Sequence, residues 1–200
     1  MTLGVVLAST FILAGLGVLQ PASQDQPGEE HPPAGHPSFP ELAADWPKAK
    51  AEDVASVDAI VKAMYESTAG EKGQARDWDR FRSLFLPNAQ LVATRPRPDG
   101  SCGAVFLKVD EFVAQNRRYI EKGGFVDSEI ARRTETFAHI TQVWSTYQTI
   151  QNKNPTPYVR GINSIQLLKD GNRYWIVSLY WECEREKTPL PEKYLQSAQN

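Results

Sequence analysis

Histidine is nearly missing from this chain, with three in 200 residues. Two of them, His31 and His36, fall beside Glu29 and Glu30 in a proline-rich stretch that has no folded frame to fix a metal's geometry. His139 is left alone in the part that can fold, between two predicted strands, where a solvated turn residue is expected. No His/Cys/Asp cluster has metal-ligand spacing, so no metal is expected. There is no G-x-S-x-G, no G-x-G-x-x-G, and no histidine next to either cysteine in sequence, which removes the signatures of nucleophilic catalysis and dinucleotide binding. No cofactor is expected. Charge of either sign is not in excess: 22 Lys and Arg stand against 24 Asp and Glu, for a net charge of -2 and a pI near 6.0. Nothing therefore steers the chain toward a phosphate backbone, and nucleic acid is excluded as the expected partner. The basic pairs at Arg95 and Arg97, Arg117 and Arg118, and Arg132 and Arg133 have acids nearby and read as solvated faces, with an anion-binding mouth as the alternative.

What is present divides the chain into four. Residues 3 to 19 are uncharged and mostly apolar, and no charge precedes Asp25, so residues 1–22 read as a signal peptide. An exported protein, periplasmic or secreted, is the expectation. No Lys or Arg precedes the apolar run, and a cut after Ala22 leaves the large Gln20 where a small residue is preferred, so an uncleaved N-terminal anchor is the alternative. A membrane is a partner only in that case, and the run is short of the roughly 20 residues a span needs. Residues 23–50 form a disordered Pro-rich linker: seven of the 14 prolines lie between positions 21 and 47, a composition that prefers extended backbone. Residues 51–185 form the folded domain, and 186–200 a polar C-terminal tail. The two cysteines, Cys102 and Cys183, are a disulfide candidate in an oxidising compartment; equally, Cys183 packs as a small hydrophobe while Cys102 stays free in a loop.

Within the domain, Val54, Val57, Ile60, Val61 and Met64 recur at helical spacing, with Asp53 as the expected N-cap and Gly70 as the stop. A short helix follows Asp77, carries Trp78, Phe81, Leu84 and Phe85, and ends at Pro87. A strand over residues 89–94 and a loop over 95–100 come next, then a helix from Asp110 to Gly123-Gly124. Four strands are expected at about 126–136, 140–150, 158–168 and 173–184, the last two joined by a turn at Asp170-Gly171-Asn172. The order gives an α+β fold with helices gathered on one side of an antiparallel sheet. With a two-residue turn, Asn163, Tyr180 and Glu182 share one face of the final hairpin, and Trp175, Val177, Leu179 and Trp181 the other; a bulged three-residue loop exchanges the partners. Both faces carry large side chains, so both must be covered, one by helices and pocket, the other most simply by a second subunit in a homodimer.

The segments Trp78-Asp79-Arg80-Phe81, Phe85-Leu86-Pro87-Asn88-Ala89, Arg160-Gly161-Ile162-Asn163-Ser164-Ile165-Gln166-Leu167 and Trp175-Ile176-Val177-Ser178-Leu179-Tyr180-Trp181-Glu182 resemble, in order and spacing, the NTF2-like superfamily, SnoaL-like and ketosteroid-isomerase-like branch. The resemblance spans about residues 53–184. It implies a bent sheet wrapped round the first long helix, a cone open at one end, often dimeric. Isomerases, cyclases, dehydratases and non-catalytic modules share that fold, so the fold leaves function open.

Compared with the isomerases, Tyr65 matches the helix tyrosine and Asn163 falls at the oxyanion acid, where its amide can still donate a hydrogen bond. The proton-shuttling carboxylate should lie where this chain has Ala93 and Thr94, neither of which takes a proton at neutral pH. Loss of a general base costs about 10² to 10⁴ in rate, which argues against that reaction. The expected pocket lining is Tyr65, Trp78, Phe81, Asn163, Tyr180, Trp181 and Glu182, aromatic with a few polar handles, as a small-molecule site requires. The expectation is therefore a domain that binds a small apolar or aromatic molecule. The alternatives are a lyase, cyclase or isomerase using Tyr65 and Asn163 as hydrogen-bond donors, and a non-catalytic protein-interaction module.

Overall fold

A computed structural model describes residues 44–151, 154 and 156–199; the signal and most of the linker lie outside them. Helices α1 (Ala51–Val54), α2 (Val57–Thr68) and α3 (Trp78–Ser83) lead into strands β1 (Phe85–Pro96) and β2 (Cys102–Lys108). Helix α4 (Val109–Gly123) follows, then strands β3 (Phe125–Phe137), β4 (Ile140–Gln151), β5 (Val159–Asp170) and β6 (Arg173–Cys183). A 3₁₀ turn (Glu192–Tyr194) and the short strand β7 (Ala198–Gln199) end the chain. The strands make one curved, unclosed sheet in the order β2-β1-β6-β5-β4-β3-β7. The helices lie on its inner face, the α+β cone expected from sequence.

Helix α2 is fixed by its cap and its stripe. Ser56 accepts the Ala59 N–H at 3.1 Å, while Ile60, Val61, Met64 and Tyr65 are buried against the sheet. Asp53 is not the cap that spacing suggested: its carboxylate holds Arg80 at 2.7 and 2.8 Å, tying the entry of α2 to α3. Asp77 caps α3 through the Arg80 N–H at 2.9 Å. Pro87 does not end that helix but sits in β1, where pairing to β6 breaks between Phe85 and Gln90, so its missing N–H costs no ladder bond. Helix α4 stops at Gly124, whose φ of 66° suits glycine and whose Cα passes so close to the Lys72 backbone that a Cβ would lie 2.6 Å from it.

Three features depart from the sequence expectation. Strand β2 lies between the loop expected at 95–100 and the helix expected from Asp110, where the sequence suggests no element; it pairs antiparallel with β1 along the sheet edge. Its residues alternate little, so period-2 reasoning had nothing to register. The hairpin turns in two residues, with Asp170 opposite Arg173, but Val177 is an extra residue in β6: Gln166 pairs with Ser178 and Leu167 with Ile176. Beyond that bulge the side chains exchange faces. Leu179 and Trp181 turn inward beside Ile165 and Asn163, while Tyr180 and Glu182 turn outward.

The third departure is at the two ends of the domain. Trp46, placed in the linker from composition, donates its indole N–H to the Phe85 carbonyl at 3.1 Å. Residues 192–199, placed in a polar tail, fold back over the outer face. Tyr194 stacks near Trp144 with centroids 5.6 Å apart and accepts the Thr146 hydroxyl at 2.5 Å through its carbonyl, and β7 pairs parallel to β3. Part of the outer face is thus covered by the chain itself.

Candidate functional site

The cone is not filled by side chains. Between α2, α4 and the inner faces of β3 to β6 lies a cavity of about 280 Å³, roughly twice the 150 Å³ that holds benzene in an engineered core. Its walls are aromatic and aliphatic: Phe112 packs edge-on to Trp181 with centroids 6.1 Å apart, and Phe81 stacks on Phe112 at 5.6 Å. At the mouth, Phe125 touches Tyr119 and Tyr158, with centroids at 5.1 and 5.7 Å.

Of the seven expected lining residues, Tyr65, Phe81, Asn163 and Trp181 line this cavity. Trp78 is buried in the core beside it, and its indole N–H is taken by Glu121 at 2.8 Å. Tyr180 and Glu182 do not reach it. The Val177 bulge places them on the outer face, where Tyr180 is 45% exposed and Glu182 pairs with Arg185.

Tyr65 and Asn163 meet, but as partners of each other. The Asn163 amide donates to Tyr65 Oη at 2.8 Å, and Tyr65 Oη lies 2.7 Å from Ser145 Oγ. Ser145 Oγ donates to Glu129 Oε1 at 2.5 Å, so its hydrogen is committed and it accepts the tyrosine's. Arg132 then holds Glu129 at 2.9 Å and reaches Asp58 at the surface. A directed chain thus runs from cavity to solvent, and the Tyr65 hydroxyl is spent inside it. Burial pushes the Tyr65 hydroxyl's pKa well up, against the pull of its two hydrogen bonds.

The residue that sequence reasoning missed is Asp127. It lines the cavity from β3, opposite Thr149 of β4, whose hydroxyl donates to Asp127 Oδ1 at 2.6 Å. No fully buried side-chain nitrogen or oxygen among the described residues lacks a partner, so the second oxygen, which has none, keeps accessible surface on a residue that lines the cavity. Removal from water holds this carboxyl above the usual carboxylate range, and the Thr149 bond opposes that only in part. The available signal was the alternation of Phe125, Asp127 and Glu129 along one face of a strand.

The cysteines stay apart. Cys102 is exposed on β2 and Cys183 lies on the inner face of β6, its Sγ 3.4 Å from Tyr147 Oη; both are free thiols. Strand β1 lies between β2 and β6, which puts the two backbones about 9.5 Å apart, beyond the roughly 7 Å a disulfide spans. His139 sits exposed in the β3–β4 turn, near the Lys169 carbonyl at 3.2 Å. Among the described residues no group of His, Cys, Asp and Glu could hold a metal ion, and no helix is long and apolar enough to cross a membrane.

No family model matches the chain, and no curated protein matches it. Solved structures do. A protein of unknown function with a cystatin-like fold from Nostoc punctiforme superposes with a TM-score of 0.51 at 9% identity, over 65% of this chain and 90% of that one. An NTF-2 like protein of unknown function from Silicibacter pomeroyi gives 0.44 at 14%, over 65% and 94%. An NTF2-like protein of unknown function from Shewanella baltica gives 0.39 at 12%, over 66% and 98%. Such identities speak to fold alone. A long helix held in the hollow of a bent sheet, further helices closing one side, and a cavity at the open end give this chain the α+β architecture of NTF2-like cone folds.

Proposed function

We propose that the domain binds a small, largely apolar or aromatic molecule in the cone. The observation that carries this is the cavity itself: aromatic walls, a volume suited to one or two rings, and a single half-buried carboxyl in its lining. A calorimetric screen of one- and two-ring aromatics against the full chain tests it. Binding weakened by Trp181→Ala in a variant that keeps its circular dichroism supports the reading; binding indifferent to that change contradicts it.

Asp127 favours a second reading, an acid–base enzyme of the lyase or isomerase kind. A carboxyl whose pKa is raised by removal from water is suited to give and take a proton, and Asn163 keeps one amide hydrogen for a ligand oxygen. Solvent deuterium appearing in a bound carbonyl compound, and ceasing in Asp127→Asn, is its test. Export and a homodimer over the exposed Val177 and Tyr180 belong to the same proposal, with intact mass and light scattering as their tests.

A further inference from the structure

We infer that the molecule taken into the cone is an organic cation: an amine on a one- or two-ring body, with its ammonium against Asp127 and between the aromatic walls. This rests on the pocket reading above and narrows its ligand class.

Charge is the first ground. Among the described residues no Lys, Arg or His lines the cavity, and Asp127 is the one carboxyl that does. An anion would meet no counter-charge there. The second ground is geometry. Asp127 Oδ1 is engaged by Thr149 and the other oxygen has no protein partner, so beside the neutral amides of Asn116 and Asn163 the site presents one unanswered carboxyl oxygen to whatever enters. The third is the character of the walls. Tyr119, Phe125 and Tyr158 form a collar of touching rings, with Trp181 and Phe112 further in. Ring faces carry negative charge density and attract ammonium groups, more strongly where water is excluded. Tyr119 and Tyr158 are 59% and 60% exposed, apolar surface that a seated ligand would cover. A neutral ligand uses hydrogen bonds and the apolar walls; a cation gains the carboxylate's charge and the ring faces as well.

The proton balance follows. The titratable groups around Asp127 are phenols, Tyr65 on α2, Tyr119 on α4, Tyr147 on β4 and Tyr158 ahead of β5; Glu129, two residues on, is engaged by Ser145 and Arg132, and Cys183 lies beyond Tyr147. Burial raises Tyr65, Tyr119 and Tyr147, so these three stay neutral with the ligand bound. Asp127 must therefore supply the charge. A protonated Asp127 meeting a protonated amine yields a carboxylate–ammonium pair and one proton released to solvent.

Three probes of one shape separate the possibilities: 2-phenylethylamine, 2-phenylethanol and 3-phenylpropionate, titrated calorimetrically into the full chain in two buffers of different ionisation enthalpy. The amine should bind about tenfold or more tighter than the alcohol, with up to one proton released per ligand, and the propionate weakest of all. Asp127→Asn, which keeps an acceptor for Thr149, should collapse the amine-over-alcohol ratio toward one and abolish proton release. Alcohol binding as tight as the amine overturns the cation inference while leaving the pocket reading standing. If none of the three binds, the pocket reading fails and the cation inference with it. The amine-over-alcohol ratio on the folded wild type remains decisive even if the variant does not fold.

Discussion

Asn163 and Tyr65 are joined by a 2.8 Å hydrogen bond between residues 98 positions apart, and that bond defines what each can do. The amide donates to the phenol, the phenol passes its own hydrogen to Ser145, and the chain ends on Glu129 and Arg132. Tyr65→Phe leaves a buried amide and a buried hydroxyl each short of a partner. The expected loss of stability is about 1–3 kcal/mol, seen as a lower midpoint in urea with an unchanged slope. A variant as stable as the wild type would show that the network carries no net energy.

The outer face is held in part by the chain's own C-terminal segment, through the Tyr194 ring on Trp144 and its carbonyl on Thr146. Deleting residues 190–200 should cost roughly 1–3 kcal/mol, the order of one large side chain's burial, and should raise the reactivity of Trp144 toward a soluble quencher. Unchanged stability and quenching would place the segment off the sheet.

Both thiols should react. Cys102, on the exposed edge strand, should consume a polar thiol reagent in the folded protein, and Cys183, half-buried beside Tyr147, should follow slowly. Titration under denaturing, non-reducing conditions should count two. A count of zero would mean that the strands rearrange to bring the sulfurs together.

Asp127 makes stability depend on pH. Its folded pKa is raised, so the native state binds more protons than the unfolded state between the unfolded value of about 3.9 and the higher folded value. Below both values the group costs nothing. As pH rises through that window stability is lost, and the loss is complete above the folded value. Asp127→Asn should therefore raise the melting temperature at pH 8 and leave it unchanged near pH 3. A variant that melts lower than the wild type at pH 8 would contradict this.

Much of the fold was legible in the sequence because its signals are local. The stripe on α2, the glycine at the end of α4 and the turn at Gly171 each leave a residue-level mark. The site was legible in part. Tyr65 and Asn163 follow from the family resemblance and Phe81 from helical spacing, whereas the extra residue Val177 carries Tyr180 and Glu182 outward and turns Trp181, which strand phase put on the face opposite Asn163, into the cone. That bulge leaves no mark where both parities of a strand carry large side chains, Trp175 and Val177 on one count, Ile176 and Tyr180 on the other. Asp127 was overlooked for a related reason. Its neighbours Asp127-Ser128-Glu129 look like a solvated strand, and only the pairing to Thr149 turns it toward the cone.

The most direct measurement of the account is the titration of Asp127 itself, followed by the side-chain carboxyl ¹³C resonance of the folded protein. A half-buried carboxyl in the wall of an apolar cone should titrate clearly above the ordinary value of about 3.9, and adding 2-phenylethylamine at a pH within its transition should drive it toward the ionised shift. A midpoint near 3.9 in the free protein, unmoved by the amine, would contradict the account, because Asp127 would then face water and not an enclosed pocket.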